Sequence, residues 1–395
     1  NPVIFTNGDN DTFPLWYNQE TEGVRTDARV CNLSYLQTDW YIDQMRRPAY
    51  DSPSLPISWT RLQYVTGTRE GIPVQPDALQ QVIDYYKDSP EDLKQMLGDN
   101  PYELKNIIRH WVLNDNPDLQ IFPTDSIVVT VDKEAVKRSG MMIAADSIPD
   151  VMHISLKGKR AVYKSEMMML EMISQANWER PLYMSTTVGP DNYGHLGDNF
   201  VQEGLACRIT PFDTKQSGRT IDSERMYNNM MNKFKYGGLK ENPDIYLDET
   251  VIRMCYTHRR LFNQLAQQLL KEGQKDKALK VLQRAEEEIP GSIVPHEAFY
   301  GHSLELADAW LALGHKAEAE KLLNAVGQNA KEYIEWYLSL NTQRLLQSSR
   351  ECLMQIYILN DIAKTWEPID KKKAETYRME VNNYASRCHQ RGMSL

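Results

Sequence analysis

The chain has 395 residues, 41% of them hydrophobic and 25% charged, ordinary proportions for a globular protein with core enough for two or three domains. Its net charge of −9 argues against a nucleic-acid-binding or anionic-membrane surface, since both need a basic patch. No apolar run approaches the roughly 18 residues of a spanning helix and no signal peptide is present, so no direct membrane insertion is expected.

Pro2-Val3-Ile4-Phe5-Thr6 is a short, β-branched apolar run that predicts a buried strand. With that strand already under way at its start, the chain reads as a piece of something longer. The strand ends at Asn7-Gly8-Asp9-Asn10-Asp11-Thr12, a turn cluster whose Asp, Asn and Thr side chains also suit a helix N-terminus. Phe13, Trp16, Tyr17 and Glu20 follow at helical spacing, three of the four making an apolar stripe, and Gly23 stops the helix. Residues 29–34 are a second strand-like run, and Thr38 is placed to cap a helix over 39–45. Strand, helix, strand, helix predicts a βαβ unit with a parallel strand pair.

Residues 47–71, broken by prolines and glycines, read as loop with a short strand near 62–65. Residues 76–114 are helical in pattern, with Leu79, Val82, Ile83 and Tyr86 on one face, and predict a helical insertion over about 72–118. Strands are expected again at 126–131, 151–156, 182–188 and 205–209, with a helix over 164–177. That alternation suits a mixed, mostly parallel, Rossmann-like α/β sheet over residues 1–220.

From about residue 221 strand signals vanish. Leu261-Phe262, Leu265-Ala266 and Leu269-Leu270 precede Gly273, and Ala278-Leu279, Leu282 and Ala285 follow it. Leu304, Leu306-Ala307 and Ala309-Trp310, then Gly314, Ala319 and Leu322-Leu323, repeat the pattern, with Ala five residues after Gly in each copy. Small residues where paired helices touch and Gly at the turn resemble a tetratricopeptide repeat, so 221–395 is expected to be all-α. The linker holding Pro290 and Pro295 is expected to absorb the extra length between copies.

Three stretches near the N-terminus carry a further resemblance: Asn7-Gly8-Asp9-Asn10-Asp11-Thr12-Phe13-Pro14-Leu15-Trp16-Tyr17, Glu22-Gly23-Val24-Arg25-Thr26-Asp27, and residues 32–45. They resemble the bacterial membrane family known as domain of unknown function 2723, of protein O-mannosyltransferase-like type, related to a vertebrate transmembrane O-mannosyltransferase. Asn177-Trp178-Glu179-Arg180-Pro181-Leu182-Tyr183 and residues 203–211 extend the similarity, with Cys207 where the family more often has Tyr. The resemblance implies that a multi-spanning region precedes this chain and carries the catalytic acid. It also implies an exported location, on the periplasmic side of a bacterial inner membrane. The chain itself is then a catalytically silent region that helps hold an acceptor protein or peptide, or positions the membrane region of the same protein.

Five cysteines (Cys31, Cys207, Cys255, Cys352 and Cys388) lack CxxC spacing, and Cys31 and Cys207 fall in apolar strands where Cys acts as a small hydrophobe. His296-Glu297 and His302 lack the spacing of a zinc helix. Gly301-His302-Ser303-Leu304-Glu305 lacks the second Gly of a nucleophile elbow, and Gly158-Lys159-Arg160 has no upstream Gly for a phosphate loop. Asn10-Asp11-Thr12 and Asn32-Leu33-Ser34 match the glycosylation triplet, the second at a position expected to be buried. No catalytic set, metal site or cofactor is therefore expected. The candidate ligand site lies beyond the strand ends: Asp9, Asn10, Asp11 and Thr12 after the first strand, Asp39 and Trp40 after the second. Carboxylates and amides there suit sugar hydroxyls or a cation, and Trp40 offers a flat face; the alternative is helix capping alone. Arg25 and Asp27, before the second strand, are expected to pair locally, and the glycine-rich loop 189–199 reads as a surface loop or a binding loop. Tyr300, Trp310, Tyr333, Trp336 and Tyr337 are candidates for a concave peptide-binding face of the helical half. Two rival functions remain, a stand-alone interaction module and a soluble α/β enzyme acting on a sugar or phosphate.

Overall fold

In the computed structural model, which describes residues 1–142, 147–242 and 244–393, the chain divides into two units, Asn1–Asp222 and Ser223–Leu395. The first opens with β1 (Val3–Thr6), α1 (Asp9–Glu20), β2 (Arg29–Asn32) and α2 (Asp39–Met45). β1 and β2 are parallel, with Val3 opposite Arg29 and Thr6 opposite Asn32, which is the expected βαβ unit. Gly8 joins strand to helix at φ 83°, a conformation that costs a glycine little. Helix capping differs from expectation. Asp9 and Asn10 belong to the first turn of α1 instead of preceding it, and the Thr38 hydroxyl donates back to the Tyr35 carbonyl at 2.7 Å.

Residues 62–65 are not a strand: α3 (Arg61–Tyr64) forms there, because Thr60 and Gln63 make a capping box, the Gln63 side chain accepting from the Thr60 N–H at 2.8 Å. The unit continues through β3 (Gly71–Pro73), α4 (Ala78–Tyr85), α5 (Pro90–Leu97), α6 (Leu104–Ile107), β4 (Ser126–Thr130), α7 (Lys133–Arg138), β5 (Val151–Ser155) and β6 (Ala161–Tyr163). It closes with α8 (Lys164–Ala176), β7 (Leu182–Ser185), β8 (Phe200–Gln202), β9 (Ala206–Ile209) and α9 (Thr214–Ser217).

The five-stranded sheet has the order β2-β1-β7-β9-β8. It is mixed, but not mostly parallel: β2-β1-β7 are parallel, while β7-β9 and β9-β8 are antiparallel. β8 turns straight back into β9 with no crossover helix between them, so the sheet is not a doubly wound parallel one. β4 and β5 form a separate two-stranded antiparallel sheet, joined through α7, and β3 and β6, far apart in the chain, form another. Along β4–β5 burial alternates, with Ile127, Val129, Met152 and Ile154 inward, the pattern of a sheet with one open face. All four residues of β2 are buried, as befits a strand covered on both faces.

The core gathers Phe5, Leu36, Tyr41, Trp59 and Phe122 around α8, whose Met167, Met168, Met169 and Met172 are all buried. Unbranched thioethers fill irregular gaps well, which suits a helix packed against several non-equivalent elements. The insertion closes a small core of its own from Leu79, Leu97, Trp111 and Ile121.

The second unit contains α10 (Ser223–Asn228), α11 (Glu249–Lys271), α12 (Lys275–Glu288), α13 (Ser303–Ala312), α14 (Lys316–Ser339), α15 (Thr342–Gln347), α16 (Ser349–Trp366) and α17 (Lys371–Gln390). α11 packs on α12, α13 on α14, and α16 on both α14 and α17, a helical-repeat-like arrangement. Gly273 and Gly314 make the equivalent inter-helix turns at φ 76° and 83°, and Ala278 and Ala319, five residues on, are both fully buried. The proline linker is clamped from α11: buried Arg259 donates to the carbonyls of Ile289 (2.9 Å), Val294 (2.8 Å) and Pro295 (3.1 Å).

Candidate functional site

Because β2, β1 and β7 are parallel neighbours, their carboxyl ends bring Asn32, Thr6 and Ser185 to one edge. A hydrogen-bond network joins them. Thr6 and Thr12 share a bond of 2.7 Å between hydroxyls, and Asn32 Nδ2 donates to the Thr12 hydroxyl at 2.9 Å and to the Gly8 carbonyl at 3.2 Å. Asp11 Oδ2 accepts from the Asn7 N–H at 3.0 Å and from the Thr187 hydroxyl at 2.9 Å, and Thr187 in turn meets Ser185 at 2.7 Å. Asp11 is only 8% exposed, and Thr12 is fully buried. These two side chains therefore knit the three strand ends together, and Thr187, Asn32 and Ser185 belong to the same lock. No local motif marks Thr187; its place follows only from the pairing of β1 with β7.

Asp9 and Asn10 lie exposed in the first turn of α1, where a negative charge also complements the helix dipole. Asp39 turns elsewhere, 3.6 Å from Arg61, which also pairs with Asp43. Among the described residues no hydrogen bond or ion pair joins Asp39 to Asp9, Asn10, Asp11 or Thr12. What links the two halves is aromatic. Phe13 stacks on Trp16 (5.6 Å), Trp16 on Tyr35 (6.3 Å), and Tyr35 meets Trp40 (5.9 Å), so a ladder of rings runs from α1 to α2. Of the α1 stripe read as a packing face, only Trp16 packs against the core, while Phe13 is 45% and Tyr17 59% exposed; on α2, Trp40 is 52% exposed. Asp9, Phe13 and Tyr17 follow at four-residue intervals on that open face, so a carboxylate stands at the end of the aromatic row.

Arg25 and Asp27 pair at 2.7 Å as expected, and the guanidinium holds the Asp27 carboxyl well below the usual carboxylate range. The loop 189–199 is pinned by packing: Leu196 is fully buried, Tyr193 meets Phe200 at 4.9 Å, and a Cβ at Gly194 would run into Met169. In the helical unit, Trp310 is buried, whereas Tyr300, Tyr333 and Trp336 are exposed. Among the described residues, no cluster of His, Cys, Asp and Glu could hold a metal ion, and no helix is long and apolar enough to cross a membrane.

These features define a class: a mixed α/β domain with a polar lock and an open aromatic ladder at its strand ends, followed in the chain by a helical-repeat-like region. Residues 1–229 match the family described as TMEM260-associated domain 2, and the chain belongs to that family. No curated protein and no solved structure matches it.

Proposed function

We propose that this chain is a non-catalytic, exported region of a membrane-bound protein O-mannosyltransferase-like protein, and that it holds the acceptor protein or peptide for the membrane half. The observation that carries this reading is the ladder Phe13–Trp16–Tyr35–Trp40, whose end rings Phe13 and Trp40 are open to solvent, with the carboxylate of Asp9 one turn before Phe13. Exposed aromatic rows with polar groups alongside suit sugar rings and peptide side chains, because rings supply contact area at small entropic cost. Membership of the TMEM260-associated family supports the link to glycosylation, and the helical unit, read as a tetratricopeptide-like stack, adds an extended surface for a polypeptide. The polar lock keeps the ladder in place and supplies no acid, base and nucleophile set. The chain belongs, in this reading, on the periplasmic side of the inner membrane.

The test uses the full-length protein. Phe13→Ala with Trp40→Ala should reduce acceptor glycosylation at least tenfold with unchanged abundance in the membrane, and the chain alone should transfer no sugar. Transfer by the isolated chain from a lipid-linked or nucleotide sugar would overturn the reading, as would full activity of the double variant.

A further inference from the structure

At the edge of the β1–β2 pair opposite the strand-end lock, where β2 starts and α1 and α2 end, lies a cleft of about 560 Å³. That volume is within the range of small-ligand sites. Trp16, Tyr41 and Tyr50 give it flat walls, and Glu20, Arg29 and Arg47 bring its charges. Arg29 leads β2 and is only 6% exposed. Its Nη2 donates to the carbonyls of Gln44 (2.6 Å) and Arg47 (3.1 Å), closing the C-terminal end of α2. That role occupies one arm of the fork. The other, Nη1, is buried and has no hydrogen-bond partner among the described residues.

Nor is the charge balanced. The ionisable groups that act on Arg29 are Tyr41, Cys31 and Tyr50, none of them anionic at neutral pH, and burial works against the guanidinium. Arg180, whose guanidinium Arg29 disfavours, is another cation, itself bonded to the carbonyls of Asn1 and Ser54. Glu20 acts instead on the Tyr50 hydroxyl, whose pKa it raises. The lining thus carries two guanidiniums against one carboxylate, an excess of one positive charge.

The rim shows a second irregularity. Ala49 and Ser52 close a tight turn with reciprocal backbone bonds of 3.0 and 2.9 Å, and within it Tyr50 stands at φ 53°. Glycine takes that conformation freely and a tyrosine does not, so a ring is kept over the cleft at the expense of backbone strain.

We propose that this cleft binds an acidic sugar of the hexuronate class, with its carboxylate on Arg47 at the rim, over the uncompensated charge of Arg29 beneath. The ring lies against the aromatic walls, and its hydroxyls meet Glu20, Gln19 and Gln44, all of which line the same space. One carboxylate neutralises the single excess charge of the lining, whereas a phosphate dianion would overshoot it. The inference goes beyond the acceptor-holding reading and does not rest on it, since the two share only Trp16.

The experiment titrates the intact chain with glucuronate, glucose and inorganic phosphate, followed by NMR shifts or calorimetry. Glucuronate should bind saturably in the millimolar range, with glucose and phosphate each at least tenfold weaker. Arg47→Gln, at an exposed position that leaves the helix closure intact, should weaken glucuronate about fivefold, and Arg29→Lys about tenfold. An absence of saturable glucuronate binding overturns the proposal. Equal affinity for glucose would remove the carboxylate from it, and equal affinity for phosphate would remove the sugar; either result rejects it. Unchanged affinity in a folded Arg47→Gln places any binding elsewhere and rejects it too. Acceptor glycosylation in the same variants separates the readings, because loss of glucuronate binding with normal glycosylation leaves the aromatic ladder's role untouched.

Discussion

Asp11 offers the sharpest test of how the strand-end edge is built. Replacing it by Ala strips the acceptor from the Asn7 N–H and the Thr187 hydroxyl, two bonds of 3.0 and 2.9 Å to one buried oxygen. Bonds to a charged acceptor are worth about 1.5–3 kcal/mol each where fully buried. Both donors here are only partly buried, so the expected loss is about 2–4 kcal/mol for the pair. In a unit of this size each kcal/mol moves the midpoint by about 2–4 °C, which predicts a fall of roughly 4–16 °C for the N-terminal transition. Asp11→Asn keeps an oxygen facing both donors and loses only the charge, about 1 kcal/mol. Asp9→Ala, at an exposed first-turn position, should cost about 0.5 kcal/mol through the helix dipole. Urea and thermal melts followed by tryptophan fluorescence, with Thr187→Val completing a double-mutant cycle, would measure all of this. If Asp11→Ala melts with the parent, or Asp11→Asn is as damaging as Asp11→Ala, the lock is not what holds the three strands in register.

His258, edge-on to the Tyr236 ring at 5.7 Å, has its pKa lowered by burial. The unfolded chain takes up that proton near pH ~6.5, so its contribution to stability is whole above that pH and is lost as pH falls below it; His258→Gln should flatten the drop in urea midpoint between pH 7.5 and 5, and an identical drop in the variant would refute the assignment. Burial pushes the thiols of Cys31 and Cys352 up to about 12 and also raises that of Cys388. Ellman's reagent at pH 8 should therefore find at most Cys207 and Cys255 in the native protein and all five thiols after denaturation, and fast native reaction of Cys31 or Cys352 would contradict this. Arg259→Met leaves the Ile289 and Val294 carbonyls without their donor, Pro295 keeping the Tyr256 hydroxyl, and should cost about 2 kcal/mol or more; a variant within 1 kcal/mol of the parent in a urea melt would show the clamp to be dispensable.

The parts of this fold that local pattern specifies were readable in advance. The βαβ opening follows from two apolar runs around an aromatic helix, and the repeat-like second unit from Gly and Ala at matched spacing with breakers between. Pairing was not readable, because β4–β5 and β8–β9 are joined by stretches whose composition does not reveal whether they cross over or turn back. The alternating burial of Ile127, Val129, Met152 and Ile154 was the available sign that β4 and β5 form a one-sided antiparallel pair. Thr60 and Gln63 likewise stood at capping-box spacing, and that chemistry outweighed the bulky side chains that suggested a strand. At the candidate site, sequence placed Asp11 and Thr12 at the right edge, but their partner Thr187 lies 176 residues away and is brought there by sheet order alone. The cleft at the other edge was hidden for a different reason: a buried arginine that starts a strand looks like any helix-closing arginine until its second arm is found without a partner.

The methionines of α8 give the first unit a chemical memory. Met167, Met168, Met169 and Met172 sit where oxidants do not reach while the core is closed. Each opening that bares the helix exposes four thioethers, and a sulfoxide is too polar to return to its place. In surroundings without a reductase, such openings would be recorded irreversibly, one oxygen atom at a time. Peptide mapping of the segment that holds these four residues, after exposure to dilute peroxide, would then count how often the helix has come undone, while exposed Met96 and Met379 oxidise without any opening.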